Sequence, residues 1–232
     1  MVEELDLETY LHVSNKKFEI FLFDKRKRVN LYKDKIVLKI NFDFQDFSDL
    51  SKFLDKNIYQ IEKLTGIFIK NIYLIIEYKE NLTIKIGKKK TFENTTNKKS
   101  LKNILIELKS LINENYQNQT IMHILLNDNI KKNDKNFSFS SNETVSEYLE
   151  IDFLTISNNL IFLFDKILEK YQIKITKFFD GNYVINFSKD NTIELSITAS
   201  KLDRGENKNE VILIPKNVEN KGFFEKFFQL FS

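Results

Sequence analysis

Apolar and polar positions alternate in short runs near the start of the chain and fall at helical spacing further on. Tyr10-Leu11-His12-Val13, Phe18–Phe23 and Ile36–Ile40 are β-rich runs separated by polar turns such as Ser14-Asn15-Lys16-Lys17. Leu50, Phe53, Leu54, Ile58, Ile61 and Leu64 then form one helical stripe, with Ser48 as the expected N-cap and Gly66 as the left-handed C-terminal residue. Strands are predicted over Ile72–Tyr78 and Leu82–Ile86. A second helix, capped by Ser100, carries Leu101, Ile104, Leu105, Leu108, Leu111 and Ile112. A strand over Thr120–Leu126 leads into a polar loop at 127–144. In the next strand, Tyr148–Ile156, Leu149, Ile151 and Phe153 point inward and Glu150 and Asp152 outward. A third helix runs over Asn158–Tyr171. Ile173–Phe179 follows as a strand, and a hairpin is expected from Tyr183–Phe187 and Thr192–Ile197 around Ser188-Lys189-Asp190-Asn191. Strands grouped around three helices give an α+β fold.

Composition narrows the function classes. The 232 residues are 42% hydrophobic and 30% charged, as in a globular protein. A net charge of +3 from 36 basic and 33 acidic residues offers no general electrostatic case for nucleic acid. The absence of cysteine excludes disulfides, a thiolate nucleophile and a zinc–thiolate site. The acidic start, Met1-Val2-Glu3-Glu4, lacks the basic and apolar regions of a signal peptide, and no apolar run approaches the roughly 18 residues of a membrane span. A cytoplasmic location is expected.

No catalytic, cofactor-binding or metal-binding set emerges. His12 and His123 lie alone in strand-like runs and read as packed or edge-strand histidines rather than as a general base or metal ligand. Gly87-Lys88-Lys89-Lys90-Thr91 lacks both the glycine before the Lys-Thr pair and the strand–loop–helix setting of a phosphate loop. The basic runs Lys25-Arg26-Lys27-Arg28 and Lys88-Lys89-Lys90 read as solvated turns, with contact to a membrane surface as the functional alternative.

From Asp46 to Tyr183 the chain resembles the SHS2 (1C) subdomain of FtsA, the actin-like family that tethers the division ring to the membrane. Ile61-Glu62-Lys63-Leu64-Thr65-Gly66 before Ile72–Glu77 is similar to that family's helix ending in Ala-Glu-x-x-x-Gly before a Val-rich strand. Ile121-Met122-His123-Ile124-Leu125 resembles its Val-Leu-His-x-Ile-Pro strand, with Leu126 in place of Pro. Leu149–Thr155 resembles its Leu-Glu-Val-x-x-His-x-Ile-Thr run. Ser141–Ser146 departs from the family's Pro-x-Gly-Met-x-Gly. PilM, a pilus-assembly protein, shares this subdomain. The family's phosphate-cradling turns are eroded here: His12-Val13-Ser14-Asn15-Lys16 lacks the Asp and Gly of Asp-x-Gly-Ser, and Asn186–Thr192 lacks the glycines of Asp-x-Gly-Gly-Gly-Thr. The resemblance implies an SHS2-like domain over 46–180, flanked by remnant actin-like β-hairpins at 1–45 and 181–200, with the ATP site lost.

A polar linker is expected over 201–222. Beyond it, Phe223, Phe224, Phe227, Phe228 and Phe231 fall on one helical face, with Leu230 beside them and Glu225, Lys226 and Gln229 opposite. This reads as an amphipathic helix on the cytoplasmic face of the membrane, as FtsA proteins have at their ends. The expected function is a non-enzymatic division adaptor with division-ring or inner-membrane partners, self-association and no nucleic acid. The alternative is a pilus or secretion assembly protein of the PilM type, or a structural interaction module.

Overall fold

The computed structural model describes residues 6–92, 98–127, 145–188 and 193–211. Strands β1 (Leu7–Ser14), β2 (Lys17–Asp24) and β3 (Val29–Val37) form an antiparallel meander. After helix α1 (Ser48–Thr65), strand β4 (Asn71–Glu77) pairs parallel to β1. Strand β5 (Leu82–Phe92), helix α2 (Lys98–Asn115), strands β6 (Gln119–Asn127) and β7 (Val145–Ser157) and helix α3 (Asn158–Glu169) follow. Strand β8 (Lys174–Asp180) returns beside β4, giving a five-stranded sheet of order β3-β2-β1-β4-β8. A second, antiparallel sheet has the order β5-β7-β6.

β1 and β2 are buried almost throughout, so they show no inside–outside alternation. One face of their sheet packs on α1 and α3 through Leu50, Leu54, Ile61, Phe164 and Leu168. Two short helices, α4 (Gly181–Ser188) and α5 (Leu195–Asp203), cover the other face, where Val184, Ala199 and Leu202 meet Tyr10, Phe21, Phe23 and Phe179. α2 lays Ile104, Leu105, Leu108 and Ile112 on Ile124, Ile151 and Phe153 of the second sheet.

The structure corrects several expectations. The hairpin at 183–197, and with it the β-hairpin remnant at 181–200, is replaced by α4 and α5. Val184 and Phe187, and Leu195, Thr198, Ala199 and Leu202, sit at helical spacing and bury one face on the sheet. The expected linker begins inside α5, and Asn209–Val211 is tied to β6 by Leu126 N–H to Asn209 O (2.7 Å) and Val211 N–H to Ile124 O (2.8 Å). The third strand runs over Val29–Val37, so the segment 1–45 holds a three-stranded meander. The segment 46–180 is shared between two cores: α1, β4, α3 and β8 join β1–β3, while β5, α2, β6 and β7 build the second sheet and its core, with Ile156 of β7 reaching into the first.

Smaller differences have local causes. α1 begins at Ser48 itself, with Phe47 in the N-cap position, and the Ser48 amide is met by Asp46 Oδ1 (2.9 Å) from ahead of the helix. Gly66 adopts φ 68° and its amide closes on Glu62 O, as expected. α2 starts at Lys98, placing Ser100 within it, and Leu111 is exposed at its margin. Asp152 is buried between its cross-strand neighbours Lys85 and Leu125; Lys85 Nζ lies 3.5 Å away. The loop at 127–144 and the segment Phe223–Phe231, with Leu230, lie outside the described residues apart from Asn127, which ends β6.

Candidate functional site

The parallel strands β1, β4 and β8 end together, and their carboxy-terminal edge is where an open sheet with crossover helices offers a crevice to ligands. The β1–β2 turn lies here. Ser14 Oγ accepts from the amides of Lys16 (3.3 Å) and Lys17 (3.1 Å) and donates to Lys17 O (3.1 Å), so the turn consumes its own polar groups. Gly181, opening α4, touches the end of β4 so closely that a Cβ would stand 2.5 Å from Glu77 Cγ and 3.0 Å from Glu77 N. Only glycine fits that approach, and it closes the gap between helix and strand.

His12 is fully buried between two carboxylates. Its Nδ1 lies 3.0 Å from Glu19 Oε2 and its Nε2 2.7 Å from Glu77 Oε1. An imidazole satisfies two acceptors only when both nitrogens carry protons. Lys17 Nζ adds a contact to Glu19 at 2.8 Å. Burial works against the Glu19 carboxylate, but hydrogen bonds and charge from His12 and Lys17 outweigh it and hold the pKa at about 2. The His12 hydrogen bond, opposed by burial, lowers Glu77 as well. Beside Glu77 opens a cleft of about 400 Å³ lined by Asn15, Phe42, Asp43, Tyr78, Glu80 and Asn182.

A second buried histidine joins the two sheets. Asp180 N–H donates to His123 Nε2 (3.1 Å), which places the ring proton on Nδ1, facing Glu210 Oε1 at 2.7 Å. Tyr183 O–H donates to Glu210 Oε2 (2.9 Å), and Asn207 Nδ2 donates to Tyr183 Oη (2.6 Å). Burial disfavours the Glu210 carboxylate, yet His123 and Tyr183 keep its pKa below the usual range. This network fastens residues 207–211 to β6, β8 and α4. Next to it, a cleft of about 430 Å³ separates α2 and β6 from β8, lined by Lys109, Gln119, Met122, Lys177, Glu210 and Val211.

Both histidines read as packed or edge-strand residues in the sequence, and both are buried. Their carboxylate partners were missed. Glu19 was within reach, since a four-residue turn from Ser14 to Lys17 sets His12 opposite Glu19. Glu77 and Glu210 arrive through a crossover and a distant strap and leave no local signal. Among the described residues, no group of three His, Cys, Asp or Glu is arranged to hold a metal ion. No described helix is long and apolar enough to cross a membrane.

No protein-family model matches the chain, and no curated protein matches it. Solved structures with partial similarity include the cytoplasmic domain of EpsL, an inner membrane component of the type II secretion system of Vibrio cholerae. It is 6% identical with a TM-score of 0.34, over 75% of this chain and 57% of that one. The PilM-PilN type IV pilus biogenesis complex is 5% identical with a TM-score of 0.46, over 78% and 49%. A Bacteroides thetaiotaomicron protein with an actin-like ATPase fold is 13% identical with a TM-score of 0.31, over 82% and 59%. The chain thus spans between 49% and 59% of these three structures' lengths. FtsA is not among the three, and the resemblance to it rests on the residue motifs.

Proposed function

We propose that this chain is a non-enzymatic adaptor that has kept part of an actin-like frame and lost nucleotide binding. The carrying observation is the closed edge around the β1–β2 turn. Phosphates bind where glycines let unpaired amides approach them. Here Ser14 occupies the amides of Lys16 and Lys17, and the carboxylates of Glu19 and Glu77 stand at the same edge. An incoming phosphate would find the Lys16 and Lys17 amides taken and the Lys17 ammonium already paired with Glu19. The test is thermal unfolding with millimolar Mg-ATP. A ligand at one hundred times its Kd stabilises by about 2.7 kcal/mol, so bound ATP would raise the midpoint by several degrees. No shift is expected, and a clear rise overturns the reading.

The assembly it serves follows from the FtsA-like motifs of Asp46–Tyr183: division-ring or inner-membrane division proteins as partners, with the chain peripheral on the cytoplasmic face of the cell membrane. Self-association belongs to this reading, and nucleic acid does not. PilM shares the resembled subdomain, so pilus or secretion assembly is the alternative. A fluorescent fusion separates them: recruitment to midcell supports division, and its absence there favours the alternative.

A further inference from the structure

The opposite edge of the five-stranded sheet carries a different surface. The registers Leu7↔Asp24, Asp24↔Val29, Tyr10↔Tyr73 and Asn71↔Lys174 set the amino-terminal ends of β1, β4 and β8 level with the β2–β3 turn. Just beyond that line lie the basic turn Lys25–Arg28 and the loop Gly66–Lys70. Ile67 and Phe68 protrude from the loop, 56% and 78% exposed. Arg26, Lys27, Arg28, Lys63, Lys70 and Lys174 are all exposed around them. Strands about 4.8 Å apart put the turn and the loop roughly 12 Å from each other, side by side on one edge.

The nearby carboxylates are engaged by backbone amides or by Lys25, and of them Asp6 is exposed. Asp24 Oδ1 accepts from the amides of Arg26 (2.9 Å) and Lys27 (3.0 Å), and Glu62 Oε1 accepts from Ile69 N–H (3.1 Å). Glu8 and Asp6 face Lys25 at 3.0 and 3.9 Å. The edge therefore presents cations flanking a two-residue apolar tip. That chemistry matches a surface that is negative at its headgroups and apolar beneath them.

We infer that this edge docks on an anionic lipid bilayer, with Ile67 and Phe68 entering the headgroup–acyl boundary and Arg26, Arg28, Lys63, Lys70 and Lys174 facing lipid phosphates and carboxylates. The contact is independent of the Phe-rich tail and lies on the folded body. It would fix how the body faces the membrane, leaving the carboxy-terminal edge of β1 and β4 pointed away.

The test uses the full chain with the tail disabled by Phe227→Glu and Phe228→Glu, so that failure of the tail reading and of this one are distinguishable. The protein holds no Trp, which makes Phe68→Trp a single reporter. Its emission should shift to the blue on phosphatidylserine–phosphatidylcholine vesicles and stay put with duplex DNA. Ile67→Ser with Phe68→Ser, and separately Arg26→Glu with Lys70→Glu, should each weaken co-sedimentation with those vesicles by about tenfold. Melting temperatures should not move, because all four side chains are exposed. Undiminished binding in both pairs, an unmoved Trp, equal binding to phosphatidylcholine alone, or a Trp shift with DNA overturns the inference.

Discussion

His12 shows how one residue's setting turns into a pH dependence. Its two carboxylate partners are stabilised in their charged forms, and Glu19 is held at about 2 against an ordinary 4.5. A carboxylate with a depressed folded pKa contributes stability above its unfolded pKa and loses that contribution as pH falls toward the folded value. The contribution should be complete near neutrality and decay from about pH 5 down to pH 2, with Glu77 adding to the same limb. Glu19→Gln should cost about 3 kcal/mol at pH 7, since it removes a charge from beside a buried ring and Lys17. It should also flatten the acid limb. Urea melts of parent and variant at pH 7 and pH 3 check both points. A variant that loses stability equally at the two pH values would show that Glu19 acts by packing alone.

At the scale of elements, the α2 register offers the sharpest contrast. Leu105 is buried in the second core, while Lys109 lies at the margin of an open cleft. Leu105→Asp should destabilise by roughly 3–5 kcal/mol, because it leaves an unpaired charge in an apolar layer. Lys109→Asp should change little. Similar melting temperatures for the two would contradict the register. α1, α2 and α3 were legible because each buries one stripe and leaves the rest in water, so the period survives in the sequence. α4 and α5 were not. Val184, Ile185 and Ile197 are β-branched and read as strands, yet packing of Val184 and Ile197 in the layer with Tyr10, Phe21 and Phe179 overrides that local preference. Asp152 faces outward as the alternation has it, yet its cross-strand neighbours Lys85 and Leu125 flank and cover it. The candidate site was half visible: missing glycines in the Ser14 turn could be read directly, but the Glu77 and Glu210 partners depend on long-range pairing.

For the whole molecule, the proposed membrane contact also draws on the segment beyond Val211 through its sequence. Residues 207–211 are fastened by the His123–Glu210–Tyr183 network, so whatever follows is tethered to a fixed point on the second sheet. Phe223, Phe224, Phe227, Phe228 and Phe231 share one helical face, and Glu225, Lys226 and Gln229 share the other. Each Phe that enters the acyl boundary contributes about 1.5–3 kcal/mol before ordering is counted. Fixing a helix of that length removes a large part of the sum, because both backbone and rotamer freedom are lost. Net binding by one tail should therefore be weak, and clustering several copies should strengthen it steeply, since each further tail binds at high local concentration. Phe227→Glu with Phe228→Glu should release the protein from vesicles that contain no anionic lipid, where the basic edge of the body has no attraction to offer. The same pair should leave the melting temperature within about a degree, because the described core is complete without those side chains. Co-sedimentation with phosphatidylcholine vesicles and thermal melts of the same two proteins read both halves. Sedimentation that persists in the double variant would remove the tail as the anchor, and a melting temperature far below the parent's would make it a part of the folded core.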